Sequence, residues 1–546
     1  MALEREELHL LLDTLRSFCD RNLPLARRLE LDANHTYPAD VIEGLFGEVG
    51  LHLLFLPTSC GGMDGGAFDI YRVSELMAQY DLGVATAVLA TFLGTDPIVV
   101  GATEEQKAHW MTRIAEEALV VAYAVTEPSV GSDLGAMKAT ATRVMDGDRL
   151  KGYVLNGEKQ FITNGGVAAI TTVLAMAPDG PSFFIVERGT PGFEPSKPEQ
   201  KHGICASNTT AIAMQDVFVP VERLVGGVEG QGLAQAQKVF GYTRLMVAAF
   251  GLGAGYAALA RTIQYAQERV QGGGLLATKQ AYTHKLIVPH VVHLEAARAY
   301  IDHVARRIDG GEQDVAIEGA IAKLAASEAG KAAADAAIQA HGGYGYIREY
   351  EVEKIARDVR ITTIYEGTSE ILEWTVGRDR WAQHLKTRGG IWQKAAESLD
   401  SLHHQHADVG ADMVAAAMRA MGVFLDKARE ARLTRHQHVL FRMGELATRA
   451  ETAAVMCRWA LMDDHDPTRG DASALRAMAR IYARETLTAI HQQAMGWLRA
   501  SDAVSASQSA AIAAQMGIDA LYKGYGGWLD DMNHVARVTL GMEASA

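Results

Sequence analysis

The sequence predicts an α+β protein: an N-terminal helical domain, a middle all-β domain, a C-terminal helical bundle and an extra C-terminal helical domain. Three observations predict it. Apolar residues recur at helical spacing up to about residue 120; a Thr-, Val-, Ile- and Phe-rich stretch broken by turn residues follows; long Ala-rich periodic stretches fill the rest. The 546 residues correspond to about three to five domains at ~100–200 residues each. The texture changes set the boundaries at 1–120, 121–231, 232–387 and 391–546.

In the first domain Leu8, Leu11, Leu12 and Leu15 keep helical spacing. Glu4, Glu6 and Glu7 fill the first turn, where acidic side chains oppose the helix dipole. Pro38-Ala39-Asp40 opens a second helix, 60–66 is a flexible break, and one long helix runs through Met77 and Leu89 to about Leu93. Thr103-Glu104-Glu105-Gln106 reads as a capped helix start. In the β domain, Asp146-Gly147-Asp148 and Asn156-Gly157 read as hairpin turns, with 182–186 and 212–214 as further strands. Helices are predicted from 245 to about 271, 280 to about 308, 315 to about 340 and 368 to 385. Arg388-Gly389-Gly390 reads as a linker. Beyond it Val414, Met418, Met421 and Leu425 form one apolar stripe, Asp466-Pro467 and Arg469-Gly470-Asp471 separate two helices, and 505–514 suits a helix or linker.

Hydrophobic residues make up 48% and charged residues 22%, a globular balance. The formal net charge of −14 argues against nucleic acid as a partner and against general membrane-surface binding. Cys19, Cys60, Cys205 and Cys457 are scattered without metal-ligand spacing, so no metal site is expected and a reducing compartment suits them. The N-terminus lacks the basic start and apolar run of a signal peptide. No apolar run reaches the ~18 residues of a spanning helix. A cytoplasmic chain without a transmembrane segment is the expectation.

Four segments carry chemistry. Ala124-Val125-Thr126-Glu127-Pro128-Ser129-Val130-Gly131-Ser132-Asp133 places hydroxyls and backbone N–H groups where they could approach a flat, anionic ligand; alone it is also a corner capped by Ser132 and Asp133. In Asn156-Gly157-Glu158-Lys159-Gln160-Phe161-Ile162-Thr163-Asn164-Gly165-Gly166, Phe161 and Thr163 fall on one strand face, a ring and a hydroxyl that could meet a flavin, or simply a strand with an exposed aromatic. Gln339-Ala340-His341-Gly342-Gly343-Tyr344-Gly345-Tyr346 ends a long helix in a glycine turn open to phosphate, or in an ordinary C-cap. Ile364-Tyr365-Glu366-Gly367-Thr368-Ser369-Glu370-Ile371 sets a carboxylate before a helix start, as a general base or as a charge stabilised by the helix dipole.

In this order and spacing the four segments resemble the acyl-CoA dehydrogenase family, over about residues 1–385. The resemblance implies that the β insert is a β-barrel between two helical domains and that the four segments wrap FAD and a CoA thioester. It implies that Thr126 bonds the pyrimidine side of the isoalloxazine, with Tyr123 and Val125 lining it. Gly131 belongs to the same loop, and Ser132 lies near the FAD phosphate and the CoA arm. Phe161 stands where tryptophan is common, against the flavin face, and Thr163 meets the flavin near its hydride-accepting nitrogen. Arg269 matches an arginine that reaches a neighbouring subunit's FAD pyrophosphate. Gln280, Gln339 and Gly343 match adenosine or pyrophosphate contacts, and Thr368 and Glu370 match further FAD contacts. Arg244, Tyr365 and Gly367 fall on the substrate side, and Glu366 matches the catalytic base. Some members carry the base instead at the position of Thr243, which follows Tyr242 and cannot serve. No His or Cys lies in the Thr126 or Thr163 segments to tether a flavin, so noncovalent FAD is expected.

The implied reaction is α,β-dehydrogenation of an acyl-CoA to the trans-2-enoyl-CoA, with electrons passed to an electron-transferring flavoprotein. The alternatives are an acyl-CoA oxidase using dioxygen and a catalytically idle, FAD-bound scaffold. Ala85 and Leu89, with Thr86, would line the far end of the acyl pocket. The arginine of glutaryl-type members is missing at Ala85, which disfavours a glutaryl-type substrate, and the apolar floor suits a long, branched, cyclic or aromatic acyl group. Arg269 is followed by Gly272-Gly273-Gly274 instead of an aromatic contact, so a looser loop is expected there. Residues 391–546 resemble the helical extension of very-long-chain members, which implies a homodimer. Asp463, Asp464, Asp466, Asp530 and Asp531 argue against a membrane-binding face on the extension.

Overall fold

The structure, a computed structural model, describes residues 3–312, 314–462, 471–500 and 504–542. Asp463, Asp464, Asp466, Pro467, Arg469 and Gly470 lie outside the described residues, as does the side chain of Tyr242. In chain order the first elements are helices α1 (Arg5–Asn22), α2 (Leu25–Ala33), α3 (Ala39–Gly47), α4 (Ala67–Tyr80), α5 (Leu82–Gly101) and α6 (Glu104–Glu117). Strands β1 (Val121–Ala124), β2 (Thr140–Asp146), β3 (Arg149–Thr163), β4 (Ile170–Ala177), β5 (Gly180–Glu187), β6 (Phe193–Pro195) and β7 (Thr209–Pro220) follow. Next come α7 (Gly232–Glu268), β8 (Val270–Gln271), β9 (Gly274–Leu275), α8 (Gln280–Leu286), α9 (Val288–Asp309), α10 (Ala316–His341), α11 (Val352–Val359) and α12 (Ser369–Thr387). The last are α13 (Gly390–Gln405), α14 (Ala411–Glu430), α15 (Gln437–Trp459), α16 (Ala472–Ala500), α17 (Ala506–Gln515), α18 (Ile518–Gly524) and α19 (Trp528–Thr539). This is the α+β architecture the sequence predicts. The chain divides into two compact units: Met1–Ala254, Ala305–Ala316 and Arg348–Thr362 form the first; Gly255–Val304, Ile317–Ile347 and Thr363–Ala546 form the second.

In the first unit, Thr103 and Gln106 close the expected capping box on α6. The single helix expected through Met77 and Leu89 is two helices. Asp81 is extended at the break; its Oδ1 accepts from Val84 N at 3.0 Å, which caps α5. Its Oδ2 accepts from Lys354 Nζ at 2.7 Å, and Lys354 also bonds Asp358 at 2.6 Å. Lys354 and Asp358 belong to α11, a short helix that periodicity did not reveal. By length and composition α5 and α7 are apolar enough to cross a bilayer, yet most of each apolar window is buried inside the protein. They are core helices.

Among the described residues, seven strands make one sheet in which β5 pairs with β4 and the order continues through β2, β3, β7 and β6, with β1 also on β4. The path is open, so the barrel is a partly open one, curled around Tyr153, Leu155, Phe184, Val217 and Val219. The outer faces of β4 and β5 pack Leu174, Phe183 and Ile185 against Ile98, Trp110 and Met111. Burial on both faces explains why 183–186 is a continuous apolar run rather than an alternating one. Asp146-Gly147-Asp148 turns β2 into β3 as predicted, with Gly147 at φ +61°. Asn156-Gly157 does not turn. It sits inside the continuous strand β3 at a register shift, with Gly157 at φ +139°. Asn156 ties the bulge to β7, accepting from Asp216 N at 2.8 Å, and a Cβ on Gly157 would sit 2.8 Å from Ala139 Cα.

In the second unit, α7 ends at Glu268 rather than near residue 271, because Gly272 (φ +57°) and Gly273 (φ +79°) fold 270–275 into a two-residue hairpin. The loop expected to be loose is therefore closed. The helix expected from 280 to about 308 breaks at Ile287. Arg388-Gly389-Gly390 is no spacer: Arg388 (φ +52°) and Gly389 (φ +80°) turn α12 directly into α13. Val414, Met418, Met421 and Leu425 are all buried on α14. Of the two readings of 505–514, helix or linker, the structure has a helix, capped by Ser505.

Candidate active site

The first unit brings the Thr126 loop and the end of β3 together. β1 leads into a tight turn in which Glu127 and Val130 exchange backbone hydrogen bonds at 2.9 and 3.1 Å. Gln160 N donates to Thr126 O at 2.9 Å. Beneath the turn lies a buried ion pair that sequence reasoning missed. Lys159 Nζ donates to Glu127 Oε1 at 2.8 Å and to Val125 O at 3.1 Å. The N–H groups of Lys138 and Ala139 also donate to the Glu127 carboxylate, at 2.7 and 3.1 Å. Burial pushes the Glu127 carboxyl up, but the Lys159 bond and the two N–H groups outweigh it and hold it below its ordinary value. Burial draws the Lys159 ammonium below its ordinary value.

Val125 is buried, Tyr123 and Thr126 are half-buried, and Gly131 and Ser132 are exposed. Asp133 makes no side-chain bond to the turn at Leu134–Ala136, so the capped-corner reading does not hold for Asp133. Phe161 is 65% exposed at φ +58°. A register shift precedes Ile162, so Phe161 and Thr163 flank a buried residue without the regular pleat that the face argument assumed. Thr163 pairs with Thr209, and Asn164 Nδ2 donates to Ala87 O at 2.8 Å. That bond links the strand end to α5, where Ala85 and Leu89 are fully buried. Thr243 is buried and back-bonds Val239 O at 3.2 Å; Arg244 Nη1 donates to Ala316 O at 3.2 Å.

The second unit holds the other residues. The Arg269 guanidinium lies 5.7 Å from the Tyr344 ring centroid. Gln280 Nε2 donates to Asn533 Oδ1 at 2.8 Å, and His284 Nε2 lies 3.1 Å from the same oxygen, so helix α19 of the extension rests on α8. Gln339 is exposed in the last turn of α10. Gly342 (φ +60°) then turns the chain, and a Cβ on Gly343 would meet nothing within 4 Å. Glu366 (φ +54°) and Gly367 (φ +99°) are both left-handed, with Tyr365, Glu366, Gly367 and Thr368 half-buried and Glu370 exposed. Thr368 caps α12, its Oγ1 accepting from Ile371 N at 3.3 Å. Ser369 Oγ donates to Glu328 Oε1 at 2.6 Å, and Lys323 Nζ donates to Gly367 O at 2.6 Å. Lys323 and Glu328, both on α10, were not legible as site residues. A lysine within an alanine run whose neighbours are apolar on every side was the available signal.

Three family models match: acyl-CoA dehydrogenase N-terminal domain over residues 5–118, middle domain over 122–217 and C-terminal domain over 230–379. The chain is similar to acryloyl-CoA reductase (NADH) of Anaerotignum propionicum, 35% identical over 69% of this chain and 95% of that one. It is also similar to cyclohex-1-ene-1-carbonyl-CoA dehydrogenase of Geobacter metallireducens, 34% identical over 68% and 97%. The crystal structure of an acyl-CoA dehydrogenase complexed with FAD from Bacillus anthracis superposes with TM-score 0.83 at 25% identity, over 98% of this chain and 95% of that one.

The fold and these matches define a flavin-dependent oxidoreductase whose cofactor is FAD. The chain belongs to the acyl-CoA dehydrogenase family. The residues present fit that cofactor. Asn164 Oδ1, fully buried beside Thr163, has no hydrogen-bond partner. The exposed Phe161 ring offers a flat face, and the turn at Gly343 leaves its backbone open to approach.

Proposed function

We propose that the chain oxidises an acyl-CoA to the trans-2-enoyl-CoA with Glu366 as the base. The observation that carries this is the loop of Glu366: two consecutive left-handed residues, secured at Gly367 and Ser369 by side chains from α10. Non-glycine backbone in that region costs ~1–2 kcal/mol, so a loop so secured supports a fixed orientation for its carboxylate. FAD supplies a hydride acceptor. Glu366 takes the α-proton, which becomes removable as donors hold the thioester oxygen, one of them the Glu366 backbone N–H. Thr126, Ser132, Phe161 and Thr163 orient the flavin. Arg269, Gln280, Gln339, Gly343, Thr368 and Glu370 hold the rest of FAD, noncovalently. Arg244, Tyr365 and Gly367 meet the thioester.

Buried, apolar Ala85 and Leu89 support a long, branched or cyclic acyl group, and a relative named for a cyclic carbonyl-CoA suits that reading. An electron-transferring flavoprotein is the acceptor; the alternative is an oxidase reoxidised by dioxygen. The match of the Bacillus anthracis structure over 98% of this chain supports a subtype with a helical extension, and the homodimer is proposed from that extension's resemblance alone.

Glu366→Gln keeps the shape but cannot accept the proton. Anaerobic bleaching of FAD by saturated acyl-CoA thioesters should slow by at least ~10²–10⁴-fold, with FAD content and product binding near wild type. Bleaching within a factor of about two of wild type would assign the base elsewhere.

A further inference from the structure

Lys323 sits mid-way along α10 with no solvent exposure, among the fully buried Ala320, Ile321, Ala322 and Ala326. An ammonium in such surroundings is costly unless its head is well bonded, and a residue of that cost in an alanine helix has a task. Its bond to Gly367 O, at 2.6 Å, is charge-assisted and one peptide from Glu366. Five residues on, Glu328 grips Ser369. The two side chains of one helix therefore secure the loop on both sides of Thr368, and the same helix ends in the turn that carries Gln339 and Gly343.

We infer that Lys323 is a positioning residue for the reaction: it locks the Glu366-Gly367 backbone in its left-handed form and so aims the base. This rests on the reading of Glu366 as the base. The Gly367 carbonyl is the handle because fixing it fixes the rotation on both sides of the Glu366–Gly367 peptide. Release of that carbonyl lets Glu366 relax towards ordinary φ, which swings the carboxylate away from the α-carbon. Misplacement by an ångström costs on the order of 10²-fold in rate.

The test compares Lys323→Met, which keeps volume but loses charge and donor, with Lys323→Gln, which keeps a donor. Two quantities are read on the FAD-loaded enzyme. One is the anaerobic rate of flavin bleaching at saturating acyl-CoA; the other is the affinity for a trans-2-enoyl-CoA, from the shift of the flavin spectrum. Lys323→Met should bleach about 10- to 100-fold more slowly, with enoyl-CoA affinity within about three-fold and FAD content unchanged. Lys323→Gln should recover part of the rate. Bleaching by the Met variant within about two-fold of wild type overturns the inference, as does a loss confined to affinity or FAD content. Should the Met variant fail to fold, a Gln variant whose loss falls on enoyl-CoA affinity or FAD content and not on rate overturns it equally. Glu366→Gln, run beside them, separates the two readings. If it bleaches normally, the base is misassigned. If it is inert while both Lys323 variants are fast, only the positioning role fails.

Discussion

Lys159 and Lys323 are both sealed from solvent, each beneath a segment of the candidate site, but they grip different things. Lys159 meets a carboxylate, Glu127, that is itself buried and fed by two backbone N–H groups, and it also takes Val125 O. It closes a charge pair and sews a turn to a strand. Lys323 meets a backbone carbonyl on a left-handed loop. The first arrangement fails by leaving a buried charge without its counter-charge, which is a loss of stability. The second fails by letting a backbone rotate, which is a loss of geometry. One residue type serves two ends, and the partner tells them apart.

The largest expected effect tests that distinction. Lys159→Met should destabilise the first unit by about 3–5 kcal/mol, the range for breaking a buried pair from one side. Thermal unfolding of the FAD-loaded enzyme measures it. Adding Glu127→Gln should return part of the loss, because the lone carboxylate is then gone. The comparison breaks if Lys159→Met unfolds like wild type yet bleaches slowly, for then Lys159 would be acting on geometry too.

A pH series sharpens it. The folded Glu127 carboxyl lies below its ordinary value of 4.5, so its contribution to stability is complete above about 4.5 and is lost as pH falls through the depressed value. Wild type should therefore lose stability in acid more steeply than Glu127→Gln, whose amide does not titrate. Equal slopes for the two proteins between about pH 5 and 3 would show that the pair does not hold the carboxyl down.

Much of this was legible and some was not, for local reasons. The capping box at Thr103 and Gln106, the stripe of α14 and the turn at Gly147 are set by residues within four positions of one another or by one repeating face, so sequence shows them. Asn156-Gly157 has the composition of a turn, yet its partner is Asp216, 60 residues on, and that pairing makes it a bulge. The break at Asp81 is stabilised by Lys354, 273 residues on. The site followed the same rule. Thr126, Thr163, Gly343 and Glu366 stand in contiguous motifs. Lys159 looks in sequence like a member of a solvated face and Lys323 like a lone charge in an alanine run, and only their partners, 32 and 44 residues away, reveal what they hold.

The smallest expected effect concerns a third grip, made by a neutral amide. Asn533 on α19 accepts from Gln280 Nε2, and Gln267 Nε2 donates to Leu540 O at 2.8 Å. The end of the extension therefore touches the side chains that flank Arg269 and open α8. If Gln280 contacts FAD, Asn533 sets the rotamer in which it does so. A neutral hydrogen bond is worth about 0.5–1.5 kcal/mol, so Asn533→Ala should weaken FAD retention by roughly two- to ten-fold, read as flavin released on dilution, with no change in unfolding of the first unit. Removing residues 391–546 strips both contacts and the packing beneath α12, and should cost FAD. If Asn533→Ala keeps its flavin as wild type does, while the truncated chain loses it, then α19 acts by burying apolar surface and the amide is incidental. If both keep it, Gln280 does not hold the cofactor, and a grip without a charge aims nothing here.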